Sequence, residues 1–135
     1  MLKQLFKNAF KPKDAKFGYN LHFVSALKNH NEVKGFEKGK CSVTFENRTM
    51  TIQQGDNIII EKMSNVSSIR TWAYKRRYLI IEFNTKNHNE YKFSLEMSNN
   101  IASGIVTKTL TRYADALNIP LEYCGITKDD DETDI

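Results

Sequence analysis

At 135 residues the chain is long enough for one domain with a single modest core. Hydrophobic residues make up 40% and charged residues 27%, a balance that argues against a disordered chain. No apolar run approaches the roughly 20 residues that cross a bilayer, and the net charge of +4 hides a basic first third and an acidic end, Asp129-Asp-Asp-Glu-Thr-Asp134.

Near the start, Leu2, Leu5, Phe6, Ala9 and Phe10 recur at helical spacing, with lysines on another side. That pattern predicts a short basic amphipathic helix in the N-terminal segment 1–13, running over residues 1–11 and stopped by Pro12, which lacks a donor and restricts its predecessor. So short a helix is marginal alone in water and needs something to pack on. Lys3, Leu5, Phe6, Lys7, Phe10 and Lys11 are its candidate contacts with a partner or an anionic membrane surface. The same stretch lacks the unbroken apolar core and cleavage site of a signal peptide, so a cytoplasmic setting is expected. Cys41 and Cys124 are then expected as free thiols.

From residue 17 to 27 the chain alternates, with Tyr19, Leu21 and Phe23 on one face and Asn20, His22 and Val24 on the other, as in a half-buried strand. Residues 28–40 mix Asn, Gly and charge and read as a loop. Cys41, Val43 and Phe45 alternate with Ser42, Thr44 and Glu46. After a short turn at Asn47-Arg48, Met50 and Ile52 form the second arm of a hairpin. Gln54-Gly-Asp-Asn57 is the next turn, and Ile58-Ile-Ile60 the next strand, whose exposed edge is a candidate for pairing with a second copy or another protein.

Ile69-Arg-Thr-Trp-Ala-Tyr74 is a strand by its aromatic and β-branched content, and Lys75-Arg-Arg77 turns into the hairpin Tyr78-Leu-Ile-Ile-Glu-Phe83 and Glu90-Tyr-Lys-Phe-Ser-Leu95. Ile101, Ile105, Thr109, Tyr113 and Leu117 then fall four apart, widened by Val106, Leu110 and Ala114 into one apolar helical face. The expected fold class is α+β, mainly β: an antiparallel sandwich or barrel of about seven strands capped by a C-terminal amphipathic helix, plus the short N-terminal helix. On this reading residues 17–119 form the domain and residues 120–135 an acidic tail, disordered from 128.

His22-Phe-Val-Ser-Ala-Leu27, the loop Gly35-Phe-Glu-Lys-Gly39, Tyr78-Leu-Ile-Ile81 with Phe93, and Asn99-Asn100 before the helix resemble small bacterial pleckstrin-homology-like (PH-like) proteins of unknown function. Ala26, where glycine is usual, and the longer 28–33 segment depart from that pattern. The resemblance implies a PH-like body of seven strands and a capping helix. That superfold binds lipids, peptides or proteins, so it fixes no single function.

No Gly-x-x-x-x-Gly-Lys phosphate loop occurs, and His22, His30 and His88 have no partner at metal-ligand spacing, so neither cofactor nor metal is expected. The strand carboxylates alternate with apolar positions as a solvated sheet surface would, and nothing assigns catalytic residues. The one suggestive surface is Arg70, Trp72, Tyr74, Lys75, Arg76 and Arg77, where cations interleave with aromatics. Such a surface suits an acidic protein face, lipid phosphates, or single-stranded nucleic acid stacked on the rings. The expected function is a non-enzymatic protein-interaction or adaptor module. Membrane-surface or nucleic-acid binding through the N-terminal helix and the 70–77 hairpin is the alternative, and a small enzyme with an unrecognised site is a more remote third.

Overall fold

The structure is a computed structural model that describes residues 15–97 and 100–127. Among these residues nine strands and one α-helix follow in order: β1 (Ala15–Lys28), β2 (Asn31–Glu32), β3 (Gly39–Glu46), β4 (Thr49–Gln54), β5 (Asn57–Lys62), β6 (Val66–Tyr74), β7 (Tyr78–Thr85), β8 (Glu90–Glu96), α1 (Asn100–Leu117) and β9 (Leu121–Thr127). They form one sheet in the order β5-β4-β3-β1-β8-β7-β6-β9, with β2 paired to β1. All pairings are antiparallel except that of β6 with β9, which is parallel.

This arrangement corrects the expected fold class. The sheet is mixed and has nine strands rather than about seven. The helix does not end the fold: it is a crossover carrying the chain from β8 past β7 and β6 to β9. Residues 121–127, expected as the start of a tail, form the edge strand β9. The expected N-terminal helix and the acidic end lie outside the described residues. Among the described residues no helix is long and apolar enough to cross a membrane.

Connectivity forces the sheet to roll. In a flat sheet β5 and β6 would lie six strand spacings apart, ~29 Å at ~4.8 Å each. Yet only a three-residue 3-10 turn, Met63–Asn65, joins them, and so short a link reaches at most about 14 Å. The sheet therefore curls until β5 comes back towards the β7–β8 hairpin.

Inward positions fill the roll. Phe17, Phe23, Val43, Phe45, Ile52, Ile59, Phe83, Phe93 and Tyr91 are all buried there, at the alternating positions that strand geometry sends to one face. Helix α1 covers this face with Val106, Leu110, Tyr113 and Ala114, and the Tyr113 ring lies 5.2 Å from that of Phe45. The helical stripe is thus centred on Val106, Leu110 and Tyr113 rather than on the four-apart series. A four-residue step drifts about 40° round a helix, and Ile105 falls off the covered face, 52% exposed. Asn118 ends the helix in the left-handed region (φ 54), and the Ile119 amide donates to Ala114 O at 2.9 Å.

The mouth beside β4–β5 is closed by the loop of residues 33–38. Phe36 packs its ring 5.2 Å from Phe23, and Asn57 Nδ2 donates to Gly35 O at 2.7 Å. Gly35 has φ 91, a left-handed conformation that favours glycine, and a Cβ there would stand 2.7 Å from Asn57 Oδ1, so a side chain would also push the Asn57 amide aside.

Candidate functional site

Strand β9 extends the sheet beyond what α1 covers. Its inward residues Leu121, Tyr123 and Ile126 are set against Ile69, Thr71 and Ala73 of β6 but remain 37%, 62% and 53% exposed. Between them and the helix lies an apolar cavity of about 360 Å³, lined by Thr71, Leu79, Thr107, Leu110, Leu121 and Tyr123. Leu110 is buried and forms the floor, while Thr107 and Tyr123 are exposed at the rim. Thr71 Oγ1 donates to Glu122 O at 3.4 Å, which occupies that hydroxyl within the β6–β9 pair. The lining has no ionisable pair, so what the geometry supports is apolar binding with a few polar groups to orient the occupant.

The surface singled out from sequence at residues 70–77 lies elsewhere, on the outer face of β6 and in the turn to β7. Trp72 is paired with Ile80 and Tyr74 with Tyr78, and Trp72, Tyr74 and Ile80 form a second, separate apolar cluster. The cations are turned onto it: Arg70 and Lys92 approach the Trp72 ring at 5.9 and 5.7 Å, Lys75 the Tyr74 ring at 5.2 Å, and Arg77 the Tyr78 ring at 5.1 Å. Arg70 and Lys92 also flank the buried Glu82 at 3.6 and 3.7 Å, and Asn84 Nδ2 donates to it at 2.9 Å. Arg77 pairs with Glu96 at 3.5 Å, and Arg76 stands exposed in a left-handed turn.

With Trp72 only 7% exposed, no base can stack on it while the ring stays covered. Its Nε1 is buried and has no hydrogen-bond partner among the described residues. The structure therefore brings Arg70, Trp72, Tyr74, Lys75 and Arg77 into a self-paired cation–aromatic layer and sets Arg76 exposed in the turn beside it. Lys3, Leu5, Phe6, Lys7, Phe10 and Lys11 lie outside the described residues.

Two features escaped the sequence reading. One is the cavity itself: residues 121–127 read as tail, since the bulge at Cys124 and Gly125 leaves only Leu121 and Tyr123 in alternation. The other is the approach of two Asn-His-Asn turns, which stack His30 and His88 with centroids 5.7 Å apart at 22°. Both histidines sit at positive φ (69 and 66), and they border an open polar cavity with Lys86 and Glu90. Among the described residues no group of three or more His, Cys, Asp or Glu side chains converges to hold a metal.

Compared with protein-family models and with curated proteins, the chain has no match. The likeness to PH-like proteins thus rests on residue pattern alone.

Proposed function

We propose that this chain is a non-enzymatic binding module whose cavity between α1 and β9 takes an apolar side chain presented by another protein. The observation that carries this reading is the cavity of about 360 Å³ lined on its β9 side by the exposed Leu121 and Tyr123. Contiguous apolar surface at a concave site, rimmed by polar threonines, is what a partner's hydrophobic anchor requires. A cytoplasmic setting belongs to the same reading, in which Cys41 and Cys124 stay unpaired.

The test is selection from a displayed peptide library followed by titration of the selected peptides. Peptides with a large aliphatic or aromatic anchor should emerge, and Thr107→Trp, which fills the cavity from its exposed rim, should abolish their binding. Arg76→Glu, in the β6–β7 turn and not among the residues that line the cavity, should leave it intact. If Thr107→Trp has no effect and Arg76→Glu removes binding, the site is wrong and the basic turn is the interface.

A further inference from the structure

The free edge of β5 matches a second copy of itself. We propose that the chain forms a homodimer by antiparallel pairing of β5 with its two-fold mate, in the register that sets Ile58 opposite Ile60 of the other copy.

Three observations lead there. First, β5 pairs only with β4 among the described residues, and does so without a bulge, from Thr49↔Lys62 to Gln54↔Asn57. A closed barrel would have offered it the edge of β6, but β9 occupies that edge. Second, the turn fixes which groups are free. Gln54 and Asn57 close a two-residue turn whose first position, Gly55, has φ 60, so Asn57, Ile59 and Glu61 direct their amides and carbonyls towards β4. Ile58, Ile60 and Lys62 direct theirs outward, and the side chains of Ile58 and Ile60 are 53% and 63% exposed. Such a row of unpaired donors and acceptors is a template for another strand.

Third, the side chains choose the register and the partner. With Ile59 on the two-fold axis, Ile58 meets Ile60 of the other copy twice, and Asp56, in the turn just before the strand, comes alongside Lys62 of the other copy twice. Asp56 and Lys62 are both exposed. Moving the register by two residues in one direction sets Lys62 against an isoleucine, and in the other sets Asp56 against one. Only the chosen register pairs like with like in the apolar positions and opposite charges at the ends. The Lys that would blunt this edge against other strands is thus matched by the edge's own aspartate. A single strand pair covers less than the ~800 Å² per partner of a standard interface, so the dimer is expected at micromolar concentrations or above.

Sedimentation velocity on the full chain at low salt, from about 1 µM to about 1 mM, reads the association directly. The mass should rise from one chain to two. Ile60→Lys should weaken the dimer more than about tenfold, by placing a charge in the pairs that fix the register. Asp56→Lys and Lys62→Asp should each weaken it about three- to tenfold, and the double exchange should restore it to within about twofold. Trp72, the only tryptophan, reports by its fluorescence that each variant is folded. A one-chain mass throughout, a dimer indifferent to Ile60→Lys, or a double exchange as weak as its singles would each overturn the proposal. None of these variants touches the α1–β9 cavity, so the outcome is independent of peptide binding there.

Discussion

The two edges of the sheet meet the same hazard, unpaired backbone groups, in opposite ways. On β9, the pairs Thr71↔Tyr123 and Ala73↔Ile126 leave one residue of β6, Trp72, against two of β9, so the edge strand bulges at Cys124 and Gly125, with Gly125 at φ 87. The bulge interrupts the outward row of donors and acceptors and adds twist. On β5 the ladder is regular from end to end. The difference teaches what each edge can recognise. A broken edge beside a cavity reads side chains, whereas an unbroken one reads backbone. A molecule with one of each can hold an apolar anchor at one side and another strand at the other.

The sharpest way to break this comparison is to remove what supports the β9 side. Leu110 is 2% exposed and belongs to both the core and the cavity. Leu110→Ala should cost about 2–5 kcal/mol of folding stability in urea titration and should also lower affinity for any apolar peptide. A variant that loses neither would mean that α1 does not floor the site. On the β5 side the corresponding support is polar. Glu61 Oε1 accepts from Asn89 Nδ2 at 3.1 Å and from the Tyr91 hydroxyl at 3.0 Å, while Oε2 accepts from Asn65 Nδ2 at 3.3 Å. One carboxylate thereby ties β5 to β8 and to the β7–β8 turn across the roll. Glu61→Ala takes this acceptor from Asn89 and Tyr91, while Asn65 Nδ2 keeps Asn87 Oδ1 at 2.8 Å, and should cost about 2 kcal/mol. Glu61→Gln, which keeps an acceptor, should lose less. Equal loss in the two variants would show that the carboxylate acts by its charge rather than as an acceptor.

How much of this was legible varies by element, and for identifiable reasons. The alternation of Cys41, Val43 and Phe45 fixed a strand because a side-chain period of two has no competing reading over that length. Ile58-Ile-Ile60 stood out as an exposed edge candidate, and β5 is an edge. β9 was not legible, since its bulge breaks the alternation at Cys124-Gly125 and an acidic run follows. With β9 lost, the helix looked terminal, the sheet looked wholly antiparallel, and the cavity between α1 and β9 could not exist. The self-paired layer at Arg70, Trp72 and Lys92 was half legible. The interleaving of charge and ring is readable along the chain, but which cations fold back onto Trp72 depends on Lys92 arriving from β8, a partner distant in the chain.

The last expectation separates the two sides by pH. Burial pushes the Cys41 thiol up from 9.0 to about 12. Tyr91 is held well above its ordinary value of 10.0, first by burial and then by the charge of Glu61. In both cases the folded state keeps a proton that the unfolded chain releases sooner. The stability they contribute is therefore intact below about pH 9 and declines as pH rises, first for Cys41 and above pH 10 for Tyr91 too. The decline approaches about 1.4 kcal/mol per pH unit for each proton. Ionised Tyr91 would face Glu61 as like charges, so alkali should loosen the β5 tie, whereas the α1–β9 cavity has Tyr123 only at its exposed rim. Hydrogen exchange between pH 9 and 11, corrected for the intrinsic rate, should lose protection in β5 before α1, and Tyr91→Phe should narrow that gap. Simultaneous loss in both elements would mean that the rolled sheet opens as one unit and that Glu61 with Tyr91 is not a separate latch.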